Sequence, residues 1–342
     1  MLKYLPLILL STLFSAIGSS ISYASGEVNV YSARKEALIK PLLDNFSNDT
    51  GVKVNLVTGK ADALLSRIKH EGRNTPADLF ITTDSGRLHR AKQAGVLQAI
   101  QDTQIEQTIP GHLRDPEGYW FGLSQRSRVI FYAKDRVKPS ELSSYEDLAD
   151  PKWKKRICIR SSNNIYNQSL VASMIASNGE KATEKWAKGL VDNFARRPKG
   201  GDRDQIKAVA AGQCDIAVAN TYYYGKMLTS KKDATQRAAA NKVAVFWPNQ
   251  NDRGTHVNIS GAAITAASKN KTNAIKLLQY LVSDEAQQWY AKVNFEYPVV
   301  DKVNASQLLQ SWGNFKADTI NLSKLGSNNA AAVKLMDRAG WR

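Results

Sequence analysis

The sequence is short of the residues that most often do chemistry. It has two cysteines and four histidines among 342 residues. It contains no Walker motif, no His-Glu-x-x-His, no Gly-x-Ser-x-Gly and no paired-carboxylate spacing in an acidic helix. No nucleophile or general base therefore stands out, and the pattern argues against an enzyme. Internal repeats and low-complexity tracts are absent as well. Beyond the first 24 residues no apolar run is long enough to span a bilayer. Charged residues make up 23% and apolar ones 43%, which excludes a disordered, collagenous or coiled-coil chain.

What the chain has in excess is positive charge. Lysine and arginine number 47 against 31 acidic residues, a formal net charge of +16. That balance points to an anionic partner: nucleic acid, a membrane surface, or small anions in a cleft. The first 24 residues choose among these. Lys3 supplies a positive start, Leu5 to Phe14 is mostly apolar, and Ser22-Tyr23-Ala24 puts small residues at the −3 and −1 positions of a cleavage site. Ser11, Thr12 and Ser15 interrupt the run, which suits a cleaved leader better than an anchor. The reading is an exported, soluble chain cleaved after Ala24 and residing in the periplasm, which argues against nucleic acid. In that oxidising compartment an even cysteine count makes a Cys158–Cys214 disulfide the default. Its loop of more than fifty residues would be stabilised by at most roughly 4 kcal/mol.

At this length two domains of about 150 residues are expected. Glu27–Tyr31 and Val52–Val57 alternate as strands around a helical pattern from Glu36 to Phe46. Leu64, Leu65 and Ile68 mark a helix, Ala77–Ile81 a buried strand, and Leu88 to Ala94 another helix. Arg128–Tyr132 reads as a strand crossing into a second α/β series. That series has strands at Ile157–Ile159 and Asp215–Ala219 and helices over 168–176, 182–194 and 206–211. Val243–Trp247 and Val257–Ile264 lead back, and helices over 273–281 and 285–290 follow. The pattern predicts an α/β clamshell of mixed, mainly parallel sheets, with ligand between the lobes. The expected lobes are 25–127 plus 249–300 and 128–248 plus 301–342, hinged near Arg128 and Trp247.

Two stretches share a layout. Cys158 precedes Tyr166 by eight residues, and Cys214 precedes Tyr222 by eight. If the cysteines bridge neighbouring parallel strands, both tyrosines reach the carboxyl edge of the sheet, where open α/β sheets place ligands. Tyr222-Tyr223-Tyr224 opens a helix with Asn220 or Thr221 as N-cap. Neighbours on a helix differ by about 100°, so Tyr222 and Tyr223 can converge while Tyr224 packs inward. Phenolates are hard anionic donors suited to Fe(III), and three of them neutralise its charge. The same four tyrosines also fit a plain reading as half-buried aromatics held through their hydroxyls. Spacing leaves both open. Arg34 and Lys35, after the first strand, and Arg126 and Arg128, before the crossing, offer cations for a planar anion. Each also reads as a solvated side chain.

Taken in order, Tyr31-Ser32-Ala33-Arg34-Lys35, Thr75-Pro76-Ala77-Asp78, Gly122-Leu123 through Arg128, Asn164-Ile165-Tyr166-Asn167, Gly200-Gly201-Asp202-Arg203-Asp204, Asn220 to Lys226 and Asn258-Ile259-Ser260-Gly261 resemble the periplasmic ferric-ion-binding proteins of bacterial iron(III) ABC importers. The resemblance spans nearly the whole exported chain. It implies a transferrin-like, two-lobe carrier of one Fe(III), a monomer with no membrane insertion, which delivers its cargo to an inner-membrane ABC permease. Residue by residue, it implies Tyr166, Tyr222 and Tyr223 as metal ligands and Arg34 as the holder of a synergistic carbonate or bicarbonate. Arg126 is implied as a cleft arginine, with Lys35 beside Arg34. Some members add a ligand from the first lobe, where this chain reads Arg34-Lys35-Glu36 and Thr83-Asp84. None of His70, His89, His112 or His256 falls at a motif position. The remaining coordination is thus expected from the anion, with Glu36 and Asp84 as alternative donors. Two rivals stay open: a carrier of the same fold for a small anion or organic solute, using Arg34, Arg126 and Arg203, and an exported hydrolase or transferase using Tyr223 as acid/base.

Overall fold

A computed structural model describes residues 26–342, so the leader and its cleavage site lie outside the described residues. Among the described residues eight strands are present: β1 Glu27–Ser32, β2 Lys53–Thr58, β3 Leu79–Thr83, β4 Phe121–Ala133, β5 Ile157–Cys158, β6 Ile216–Asn220, β7 Val243–Phe246 and β8 Val257–Ile264. Their order is β2-β1-β3-β8-β4-β6-β5, with β7 also on β4. β4 organises the molecule. Its residues Phe121–Ser127 pair with β8, and Arg128–Ala133 pair with β6 and β7. One long strand therefore belongs to two sheets, and the change falls between Ser127 and Arg128.

The sheet is less parallel than the alternating pattern suggests. Only β1–β2, β1–β3 and β5–β6 run parallel, whereas β3–β8, β4–β6, β4–β7 and β4–β8 are antiparallel. The crossing strands cause this, because each carries the chain from one sheet to the other against the direction of its neighbours.

Period-two alternation divides the interior. On β4, Ile130 faces one cluster, and Val129, Phe131 and Ala133 face another. Ile216 and Val218 of β6 join the first of these, Ala217 and Ala219 the second. Helices cover both faces: Ile165–Asn178, Glu180–Asp192 and Asn329–Arg338 on one, Asp202–Ala210 and Thr221–Leu228 on the other. A separate core gathers Val28–Leu123 and Ile259–Val300 residues around β1, β3 and β8. Leu322 and Leu325 also pack into that core, while Ala332 and Leu335 pack beside Ile130, so the chain beyond 301 contributes to both bodies. Cys158 and Cys214 form a disulfide between the β5 and β6 segments. No described helix is long and apolar enough to cross a membrane.

Candidate functional site

The site grows from two helix N-termini at the carboxyl ends of parallel strands. β5 leads through residues 159–164 to the helix Ile165–Asn178, with Tyr166 in its first turn. β6 runs directly into the helix Thr221–Leu228, with Tyr222 and Tyr223 in its first turn. The register pairs Cys158 with Ala217 rather than with Cys214. The equal eight-residue offsets therefore do not align the tyrosines. They meet because a longer loop after β5 makes up the difference.

Tyr222 Oη lies 3.2 Å from Tyr166 Oη, and the Tyr222 and Tyr223 ring centroids are 4.2 Å apart. Tyr224 turns inward, packs between Phe131 and Trp312, and donates its hydroxyl to the Val243 carbonyl. Asn220 is the N-cap residue, but its side chain makes no capping bond. It accepts from Arg128 instead, and its backbone N–H donates to Asp202. The first-turn N–H groups of the tyrosine helix thus keep their pull on negative charge for the site.

Tyr166, Tyr222 and Tyr223 share a cavity of about 770 Å³ whose opposite wall includes Arg34, Lys35, Thr83 and Glu296. Arg34 is buried, and its Nη2 donates to Glu296 at 2.9 Å, leaving Nε and Nη1 without partners. Lys35 is exposed on the cavity rim. Arg126 is placed differently: it sits behind Tyr166, its guanidinium 5.4 Å from that ring, in a tight polar cluster with Asp84, Arg128, Asn220, His256 and Asn258 that leaves no room for a water molecule. Of the alternative donors, Glu36 is exposed and outside the cavity lining. Asp84 is fully buried and accepts from Gly86 N, Ser169 Oγ and Asn258 Nδ2. Its oxygens are already engaged. The buried His256 is held neutral, its pKa pushed down to about 3 by burial and by Arg128 and Arg126.

Burial, then the neighbouring phenols, pushes Tyr222 well above the ordinary tyrosine value, with Arg126 opposing; Tyr223 is raised by burial, then by Tyr166 and Asp202, with its hydrogen bond to Tyr222 and Arg160 opposing. Sequence reasoning missed part of the wall. Lys226, one helical turn after Tyr222, places its ammonium 5.4 Å from that ring, and burial lowers its pKa to about 8, with Glu296 opposing and Arg34 and Arg203 adding to the effect. The (i, i+4) spacing to Tyr222 was the available signal. Arg160, also missed, lies 5.9 Å from the Tyr166 ring, and Arg203, named above for an anion carrier, lies 5.8 Å from the Tyr223 ring. Glu296 had no local signal. Among the described residues no group of three or more His, Cys, Asp or Glu side chains could hold a metal. The cavity therefore offers hard oxygen donors from tyrosines and a cationic surround, a combination suited to a hard, highly charged cation accompanied by an anion.

Similar proteins are named for iron uptake and ferric binding. The chain is 51% identical to iron uptake protein A1 of Synechocystis over 316 residues, 92% of this chain and 88% of the relative. A solved Trichodesmium structure, described as IdiA (FutA) in complex with iron and citrate ligands, is 54% identical with a TM-score of 0.91, covering 93% of this chain and all of that one. A ferric binding protein from Campylobacter jejuni is 41% identical with a TM-score of 0.86, covering 92% of this chain and all of that one. Residues 74–317 match the family model of the bacterial extracellular solute-binding proteins. The chain belongs to that family, as a two-lobe α/β binding protein and not an enzyme.

Proposed function

We propose that this protein is exported to the periplasm, with its leader cleaved after Ala24. There, as a monomer, it captures Fe(III) between two lobes and passes it to an inner-membrane ABC permease. The lobes are the body around β1, β3 and β8 and the body around β5 and β6, hinged at the crossings next to Arg128 and Trp247. Tyr166, Tyr222 and Tyr223 supply phenolate ligands from the second lobe, and Arg34, with Lys35 at the rim, holds a carbonate or bicarbonate that completes the shell. Arg126, behind Tyr166, favours the phenolate charge without touching the cargo. The observation that carries this reading is the meeting of Tyr166 and Tyr222 hydroxyls at 3.2 Å in a cavity that Tyr223 and Arg34 also line. The relatives point to the same cargo: one is named for iron uptake, and one solved neighbour holds iron with citrate.

The size of the cavity favours a second reading of the anion. About 770 Å³ exceeds what carbonate fills, and Arg160, Arg203 and Lys226 line it along with Arg34. A tricarboxylate chelate such as citrate matches that surround. Both readings are tested by one titration. Ferric phenolate absorbs visible light by charge transfer, so the purified protein should colour on addition of Fe(III) with bicarbonate or with citrate, and the better anion gives colour at lower concentration. Tyr166→Phe, Tyr222→Phe and Tyr223→Phe should each weaken iron retention and shift the band, whereas Tyr224→Phe should leave the band in place. A colourless wild type, or iron affinity that survives all three site substitutions, overturns the assignment.

A further inference from the structure

The geometry points to Glu296 as the residue that positions Arg34 for the anion, an inference that rests on the anion-assisted ferric reading. The backbone around Glu296 is unusual. Tyr290–Asn294 forms a π-helical turn, and Phe295 closes it at φ +56°, a left-handed conformation uncommon outside glycine. The turn delivers the Glu296 carboxylate into the floor of the cavity, where it is buried and almost fully enclosed. Serines from both crossing strands fix it: Ser124 Oγ of β4 donates to Oε2 at 2.5 Å and Ser260 Oγ of β8 donates to Oε1 at 3.3 Å. The same carboxylate accepts from Arg34 Nη2 at 2.9 Å.

Three consequences follow from this constellation. A buried arginine without a counter-charge would be strongly disfavoured, and Glu296 supplies the counter-charge. A single ion pair uses one nitrogen, so Nε and Nη1 remain buried, unpartnered donors beside the cavity. Tyr290 stacks under the guanidinium at 5.6 Å from its ring centroid, which limits the plane in which it can turn. Glu296 therefore fixes where the free donors of Arg34 lie, and the anion meets a preset site rather than a mobile side chain. It does so without touching the cargo and is a positioning residue, not a ligand.

The test is a bicarbonate titration of the full exported chain, with iron supplied as ferrous ammonium sulfate oxidised in air in bicarbonate-free buffer and the charge-transfer band as readout. Glu296→Ala should raise the bicarbonate concentration for half-maximal colour by about tenfold, the effect of losing one oriented charge-assisted hydrogen bond. The band at saturating bicarbonate should be unchanged. Glu296→Gln, which retains an acceptor for Arg34, should restore the wild-type requirement or lower it. In the Arg34→Met background, adding Glu296→Ala should change nothing further, because the carboxylate acts through Arg34. This comparison also serves if Glu296→Ala alone does not fold, since the double variant removes both buried charges together. An unmoved Glu296→Ala titration in a coloured wild type overturns the inference alone, as do a Glu296→Gln loss equal to that of alanine or fully additive effects with Arg34→Met. A colourless wild type overturns the ferric reading and this one with it.

Discussion

At the scale of single residues, the tyrosines set opposite pH responses for the iron-free and iron-loaded protein. Burial, then the neighbouring Tyr166 and Asp202, raise Tyr222 and Tyr223 above the ordinary value near 10. A group whose folded pKa is raised contributes stability that is fully present below its unfolded pKa and lost as pH climbs through the folded one. For the iron-free protein this contribution is intact at neutral and acid pH and disappears only in strong alkali. On the proposed ligation iron reverses the direction, because a metal held by phenolates must displace each proton. Iron affinity should therefore fall on acidification, by about tenfold per pH unit for each phenol deprotonated on binding. Competition against a chelator of known pH behaviour between pH 6 and 8 measures the slope. Tyr166→Phe should reduce that slope by one proton. A pH-independent affinity would mean that the phenols stay protonated and the oxygens do not ligate the metal.

At the scale of elements, the tyrosine helix and the π-helical turn press on each other. A Cβ placed on Gly225 would lie 2.8 Å from both Cβ and Cγ of Phe295, closer than side chains tolerate. In an exposed helix, glycine to alanine gains roughly 1 kcal/mol through helix propensity. Here Gly225→Ala should instead force the tyrosine helix away from Phe295. The iron-free protein, free to part its lobes, should keep or raise its Tm, while iron dissociates faster. Phe295→Gly removes the opposing Cβ and suits the left-handed backbone, so the double variant should regain slow dissociation. Equal dissociation rates for Gly225→Ala and wild type would show that closure does not need this contact. Much of this level is legible in the sequence. Val257–Ile264 matches β8 end to end, and the helix opening at Tyr222 follows from its N-cap position after a strand, whereas the helix expected over 168–176 starts three residues earlier and takes in Tyr166. Ala234–Asn241 is not legible, because its only apolar residues are four alanines, which leave almost no apolar periodicity, and only Ala240 is buried. Glu296 is invisible for another reason: its meaning comes from Arg34, 262 residues away, through a turn that no local pattern announces. The antiparallel pairings are likewise non-local, and alternating β and α units suggest parallel neighbours wherever a crossing strand is not recognised.

At the scale of the whole molecule, the two bodies also meet behind the site in a small polar contact. Asp84 caps the helix Ser85–Gln93 of the first body at φ +84°, an uncommon conformation for aspartate held by its own side-chain bond to Gly86 N. From there Oδ1 also accepts from Ser169 Oγ of the second body at 2.7 Å, with Arg126 3.7 Å from Oδ2. A buried hydroxyl-to-carboxylate bond of this kind contributes about 1–2 kcal/mol. That is enough to change a closed-to-open ratio by about fivefold or more without altering either body's core. Ser169→Ala should therefore leave iron-free stability nearly unchanged and shift the population toward open. Small-angle scattering of the iron-loaded protein would register a larger radius of gyration, and iron release to a chelator would quicken by a similar factor. The ferric band should keep its position, because no ligand has been touched. If release and scattering both match the wild type, closure is governed by cargo contacts in the cavity and by the Phe295 seat, and the Asp84–Ser169 bond only decorates a state already decided elsewhere.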